Sequence, residues 1–334
     1  MYTLIGSIFV FMLVILLHEF GHYSVAKLVG IKVNEFSVGM GPKLIQKQKG
    51  ETKYSLRALP IGGYVAMEGE EESSDDPRSF SNVSVPKRMA VVVAGVFMNL
   101  VLAILSFIIL ASIMGVPSNS NIVGSVKKDS PAMVADIKPG DKVIKIDNEL
   151  INSWEDIIKN ISKKDPNKDI NLVIERRGES LTKTLKPIEY EGYSVIGIGF
   201  SKSFGSVVKF GFTKTFSVVA DVFSVLGGLL VGGVDVSMLA GPVGVISAIG
   251  QATSAGFVNL IFILGIISAN LAVVNILPIP ALDGGKLLFL IIEAIRGKKV
   301  NEKIESALSF AGLVFLFGIM IYVTIFGDLT RLRF

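Results

Sequence analysis

Apolar residues in this chain gather into long runs, and charged residues fill the stretches between them. The first run reaches from about Leu4 to Leu28 and is interrupted only by His18-Glu19-Phe20-Gly21-His22. Others cover Ala90 to Met114, about Val258 to Leu277, and about Ile304 to Phe326. Each approaches the roughly 20 residues that a helix needs to cross about 30 Å of hydrocarbon. The pattern therefore predicts four spanning helices in a protein integral to a membrane. Ser201 to Val236 is ambiguous, being apolar and Gly-rich but carrying Lys209, Lys214 and Asp221.

The polar stretches have patterns of their own. After the first run, Lys32 to Val38, Tyr54 to Leu59 and Ile61 to Val65 alternate as strands do, and the acidic stretch Glu68 to Asp76 reads as a mobile loop. Asn119 to about Glu191 reads as a soluble α/β module and holds Trp154, the only tryptophan. Lys and Arg crowd the loop after the first run (Lys32, Lys43, Lys47, Arg57, Arg88) and the loop before the last (Lys286, Arg296, Lys298, Lys303). The positive-inside bias assigns both loops to the cytoplasm, and the N-terminus, the soluble module and the C-terminus to the outside. Arg331 and Arg333 weakly oppose that placement of the C-terminus.

Composition adds exclusions. A 50% hydrophobic content is ordinary for a soluble domain too, so the distribution, not the fraction, carries the membrane reading. The net charge of +4 suits loops held against an anionic membrane face. No basic stripe is interleaved with aromatics, so no nucleic-acid partner is expected. Without cysteine there is no disulfide and no thiolate metal site, which leaves His, Asp and Glu to hold any metal. The first run lacks a positively charged start and a small-residue cleavage site, so it reads as a retained helix and not a signal peptide.

His18-Glu19-x-x-His22 has the spacing of a helical metal grip. Four residues apart, both imidazoles share one helix face and can hold one Zn²⁺, with Glu19 directed at the water such a metal carries. Two merely interfacial histidines are the bland alternative. Against it, these are the only histidines in the chain, and three ionisable groups inside an apolar run are too costly to keep without a role. A catalytic zinc wants a third protein ligand. Asp283 fits, in Asn275-Ile-Leu-Pro278-Ile-Pro280-Ala-Leu-Asp283-Gly284-Gly285, where Pro278 and Pro280 break the helix and Gly284-Gly285 is expected to let the chain turn. Asp221 and Asp235 are rival ligands without this framing.

With these motifs the chain resembles the site-2 protease family, most closely its bacterial RseP-type members. The resemblance covers nearly the whole chain. It implies His18, His22 and Asp283 as zinc ligands, Glu19 as catalytic acid and base, and Asn275 as a holder of substrate backbone. Arg88 to Asn99 is similar to the family's second-helix motif, with Val96 where a Pro is usual. Gly241-Pro242-Val243-Gly244 resembles another family motif. Ser130-Pro131-Ala132 and Pro139-Gly140-Asp141 look like bacterial PDZ domains, and Gly197-Ile198-Gly199-Phe200 like a carboxylate-binding loop. Residues 30–65 resemble a re-entrant β segment, which brings Gly62, Gly63 and Tyr64 close to substrate.

The fold expected is a polytopic α-helical membrane protein of about four transmembrane helices, with a membrane-associated β segment and an inserted PDZ-like α/β domain. Its parts are 1–116 (two helices and the β region), 117–200 (PDZ-like), 201–255 (linker helices on the membrane or dipping into it) and 256–334 (last two helices). The resemblance implies an intramembrane zinc metalloprotease of a bacterial inner membrane, with its active site toward the cytoplasm and the PDZ-like domain outside. Its expected partners are single-span membrane proteins (anti-sigma factors or signal-peptide remnants), the lipid bilayer and a peptide ligand of the PDZ-like domain. A divalent-metal transporter and an inactive PDZ adaptor are the rivals.

Overall fold

A computed structural model describes residues 2–70, 74–116, 120–201, 203–233 and 239–331; Asp235 and Arg333 lie outside them. The chain divides into two compact units, 1–107 with 212–334, and 108–211.

In the first unit, α1 (Tyr2–Leu28) is apolar on every side, as a helix in lipid must be. It still has one inward stripe, since Ser7, Val10, Val14, His18 and Gly21 are buried at three- and four-residue steps. Strands β1 (Val33–Lys49) and β2 (Thr52–Met67) follow, then α2 (Val85–Met114), which runs unbroken through Val96. Both strands fold back on themselves. Phe36, Ser37 and Val38 pair with Val65, Tyr64 and Gly63 on one side and with Tyr54, Ser55 and Leu56 on the other. Lys43 to Lys49, not anticipated as a strand, pairs with Arg57 to Thr52.

The acidic loop is tied down where it is described. Lys32 bridges Glu68 and Asp76 at 3.1 and 3.3 Å, and Ser74 donates to Glu68. These partners hold the Glu68 carboxyl at about 2, well below the usual carboxylate range.

Helix contacts define directions. His22 meets Val91 and His18 meets Asn99, so α1 and α2 run oppositely. The second unit holds, in chain order, β3 (Val123–Val126), α3 (Pro131–Val134), β4 (Lys142–Ile146), β5 (Glu149–Leu150), α4 (Trp154–Ser162), β6 (Ile170–Arg176), β7 (Glu179–Leu185), β8 (Ile188–Tyr190), β9 (Tyr193–Val195) and β10 (Ile198–Phe200). Strands β5, β4, β6 and β7 form one sheet in that order, and β10 pairs with β3. Helix α4 is started by a capping box between Ser153 and Asp156 and buries Trp154, Ile157 and Ile161 on one face against Ile146, Leu172 and Ile174. The Pro-Gly-Asp turn is closed by Asp141, which accepts the Lys138 N–H and two guanidinium bonds from Arg176.

After β10 come α5 (Phe204–Leu230), α6 (Pro242–Ser254), α7 (Phe257–Ile276), α8 (Asp283–Arg296) and α9 (Glu302–Val323), the last continued by a π turn, Thr324–Asp328. The Asn99 carbonyl accepts the Ser268 hydroxyl, and Phe107, further along α2, packs on Phe262, nearly two turns before Ser268, so α7 opposes α2 and runs with α1. Among the described residues five helices are long and apolar enough to cross a membrane: α1, α2, α5, α7 and α9 with its π turn. Helix α5 is the least apolar, with a mean hydropathy of 1.3 against 2.2 to 2.7 for the rest. Phe310, Phe315 and Phe317 stand more than half exposed along α9, an outward face that suits lipid and not water.

Candidate metal centre

Helical spacing carries His18 and His22 to the same face of α1, and the loop after α7 brings Asp283 to them. Nε2 of His18 and Nε2 of His22 are 3.2 Å apart, and Oδ2 of Asp283 lies 3.3 and 3.4 Å from them. Ligands about 2.0–2.1 Å from a tetrahedral Zn²⁺ sit roughly 3.3–3.4 Å from one another. The triangle therefore has the size of one face of a zinc tetrahedron. Oδ2 of Asp283 is buried with no hydrogen-bond partner, a state that a cation relieves. Among the described residues no other trio of His, Asp and Glu is so placed; Asp221 is not part of this one.

The second helix finishes the imidazoles. Nδ1 of His22 donates to the Val91 carbonyl at 2.8 Å, which leaves Nε2 with its lone pair free. Asn99 is fully buried, its amide 3.2 Å from Nδ1 of His18, and its Oδ1 has no partner. A His18 that offers Nε2 to a metal carries its proton on Nδ1, which needs an acceptor. Turning the Asn99 amide by 180° presents that oxygen. Between them, Gly95 makes the room. A Cβ there would stand 2.6 Å from Cε1 of His22 and 2.7 Å from Cε1 of His18. Gly95 and Asn99 lie within the 88–99 motif but were not singled out. The available signal was a glycine and a lone amide four apart in an apolar run, hence on one helix face.

Asp283 is presented by a strained hairpin. Helix α7 ends at Ile276, before Pro278 and Pro280, as the prolines require. The expected turn at Gly284-Gly285 is corrected by the structure: both glycines are in the first turn of α8, and the left-handed residue is Ala281 at φ 81°. The glycines serve close approach instead. A side chain on Gly284 would overlap the carbonyls of Ile276 and Leu277. Losing them would push α8, and Asp283 with it, off the ligand triangle.

Glu19 is half-buried on α1, and the β segment comes up beside it. A Cβ on Gly63 would lie 3.5 Å from Cγ of Glu19 and 2.8 Å from the Ser37 carbonyl, so only glycine fits. Gly62 (φ 89°) and Tyr64 flank it. Asn275 sits in the last turn of α7, half-buried, and makes no side-chain hydrogen bond among the described residues. A cavity of about 540 Å³ also reaches Asp283, its wall shared between charged groups (Glu70, Arg88, Lys286, Glu293, Glu305) and apolar ones such as Phe80 and Phe289.

An HExxH helix closed by a carboxylate, inside a bundle of membrane-length helices, defines a membrane-embedded metalloprotease. The chain belongs to peptidase family M50, whose model matches residues 6–319. It is 38% identical over 330 residues to a Clostridium acetobutylicum protein named "Putative zinc metalloprotease", covering 97% of this chain and 96% of that one. It is 31% identical to the regulator of sigma-W protease RasP of Bacillus subtilis, over 99% of each chain. A solved PDZ domain of an SdrC-like protein from Listeria monocytogenes matches 25% of this chain and 88% of its own, at 26% identity and TM-score 0.22. The chain is an intramembrane zinc metalloprotease of the site-2 type.

Proposed function

We propose that His18, His22 and Asp283 hold the zinc and that Glu19 is the catalytic acid and base, in hydrolysis of peptide bonds within membrane segments of single-span proteins. The orphaned Asp283 oxygen, set at zinc-ligand spacing from two imidazole nitrogens, carries this reading. Held by His18, His22 and Asp283, a zinc ion would supply Lewis acidity, enough to polarise a carbonyl and to lower the pKa of water toward about 7. Glu19 takes one proton from the attacking water and returns it to the leaving amine nitrogen, so the C–N bond breaks with its charge balanced. Val91 and Asn99 keep both imidazoles turned toward the metal. The cavity beside Asp283 supplies the water that each turnover consumes.

Substrate must be unwound first, because a transmembrane helix satisfies its own carbonyls. Segment 63–67 pairs on one side only among the described residues, which leaves an edge beside Glu19 to take the freed backbone. Asn275, with its unengaged amide, is assigned to the same task. Anti-sigma factors and signal-peptide remnants are the substrates proposed, in keeping with the sigma-W regulator among the relatives. The inserted domain screens or admits them as a PDZ-like module.

Four crossings are proposed. Because α1 and α7 run the same way, the end of α7 emerges on the side of His22, where Asp283 is needed. Were α5 to cross, α6 would have to return the chain, and its 13 residues span only about 20 Å. Helix α5 therefore lies on the outer face. The loop bias then makes the metal side cytoplasmic, in a bacterial inner membrane.

Purified protein in detergent, incubated with a single-span substrate, tests the assignment. Wild type cuts, while Glu19→Gln keeps about one zinc per chain and does not cut. Cleavage by Glu19→Gln at the wild-type rate would refute the role given to Glu19. Ion flux through reconstituted wild type without cleavage would favour the transporter.

A further inference from the structure

The β segment beside Glu19 poses a mechanical problem. Gly62 and Gly63 offer no side chain to pack, and among the described residues the strand that carries them is held from one side only, by residues 33–38. Gly-poor, well-packed strands hold their register by side-chain contacts; this edge cannot. A peptide laid along it would inherit any slip, and the bond presented to the metal would change.

Arg57 answers that need. Its Nε donates to Ser37 Oγ at 2.9 Å and its Nη1 to the Gly41 carbonyl at 2.8 Å. Its Nη2 donates to Glu35 Oε1 at 3.0 Å and to the Tyr64 hydroxyl, and the guanidinium lies 5.1 Å from the Tyr64 ring centroid. Arg57 itself pairs with Lys43. One planar fork thus ties its own strand to three other parts of the folded-back pair: residues 35–37, the Gly41 crossover, and the edge at Tyr64. Both Arg57 and Glu35 are largely out of solvent, with side-chain exposures of 16% and 14%. Ser37, which Arg57 grips, is the residue whose pairing partner is Tyr64 and whose carbonyl abuts Gly63. A lysine could keep the charge but not the set of directed donors.

We propose that Arg57, oriented by Glu35, is a positioning residue that locks the register of the Gly62–Tyr64 edge and thereby selects which bond of the substrate is cut. This rests on the reading of that edge as the substrate's track. The test uses the full chain in detergent with a single-span substrate, mapping products by mass spectrometry and measuring kcat, KM and bound zinc. Wild type gives one principal cut. Arg57→Lys and Arg57→Gln are expected to lower kcat/KM by about ten- to a hundredfold and to spread cleavage onto neighbouring bonds, with zinc content unchanged. Glu35→Gln should do the same, and the double variant should be no worse than either single one.

Tyr64→Phe keeps the ring and removes one of the bonds, so it should spread the cuts while remaining well folded. Unchanged cut sites in Arg57→Gln and Tyr64→Phe would overturn the proposal. So would loss of zinc in both, since the guanidinium would then be holding the fold and not the edge. Failure of wild type to cut at all would instead sink the protease reading beneath it.

Discussion

Gly95 and Asn99 sit one helical turn apart on α2, and together they show how a neighbouring helix makes two imidazoles into ligands. One withdraws its side chain so that the rings can lie against the backbone; the other offers an amide to Nδ1 of His18. Groups that hydrogen-bond the far nitrogen of a metal-bound histidine are commonly worth 10- to 100-fold in affinity. Asn99→Leu should accordingly lose zinc to a competing chelator at roughly 10- to 100-fold lower chelator activity than wild type. Equal retention would show that Asn99 does not orient the ring. Gly95→Val should abolish both zinc binding and cleavage, because its side chain would occupy the space of the His18 and His22 rings.

At the scale of elements, the inserted domain is fastened by Asp141 at its Pro-Gly-Asp turn. Burial pushes the Asp141 carboxyl up, but the Arg176 guanidinium and the Lys138 N–H outweigh it and hold the group below its ordinary value. A depressed folded-state pKa means that the stabilisation is present above the unfolded value, about 3.9, and is lost as pH falls through the folded one. Trp154, the only tryptophan, is buried in this domain, so its fluorescence reports the unfolding of this domain within the full chain. Asp141→Asn should lower that transition by about 1–3 kcal/mol at neutral pH. The gap between variant and wild type should close below about pH 4. A gap independent of pH would mean that the ion pair is not what fastens the turn.

For the whole molecule, the direction of each helix decides whether the metal triangle can exist. Helix α9 supports the proposed arrangement: a side chain on Gly312, midway along it, would meet Pro280, and in the π turn that continues it Asp328 accepts the N–H of Gly241, where α6 begins. Helix α6 in turn lies along the start of α1, with Thr253 against Gly6. The chain has no native cysteine, so single cysteines can report sidedness cleanly. Ser203→Cys and Gly232→Cys, at the two ends of α5, should both react with an impermeant thiol reagent from outside intact cells. Lys298→Cys should react only after lysis. Labelling of Ser203→Cys and Gly232→Cys on opposite faces would show that α5 crosses.

The sequence alone determined the long apolar runs, the HExxH spacing and the carboxylate motif late in the chain, because these are local facts: run length against bilayer thickness, a four-residue helical step, prolines that must end a helix. It also marked Trp154 and the Pro-Gly-Asp turn as parts of a soluble module. It misread what Gly284 and Gly285 are for, since a glycine needed for φ and one needed for close approach look alike until the neighbouring backbone is in place. Nor did it show that Arg57 reaches three other segments, or that Gly95 and Asn99 stand over the imidazoles. Those are meetings of residues 7 to 81 positions apart, and only the folded packing, which brings separate segments within van der Waals reach, could decide them.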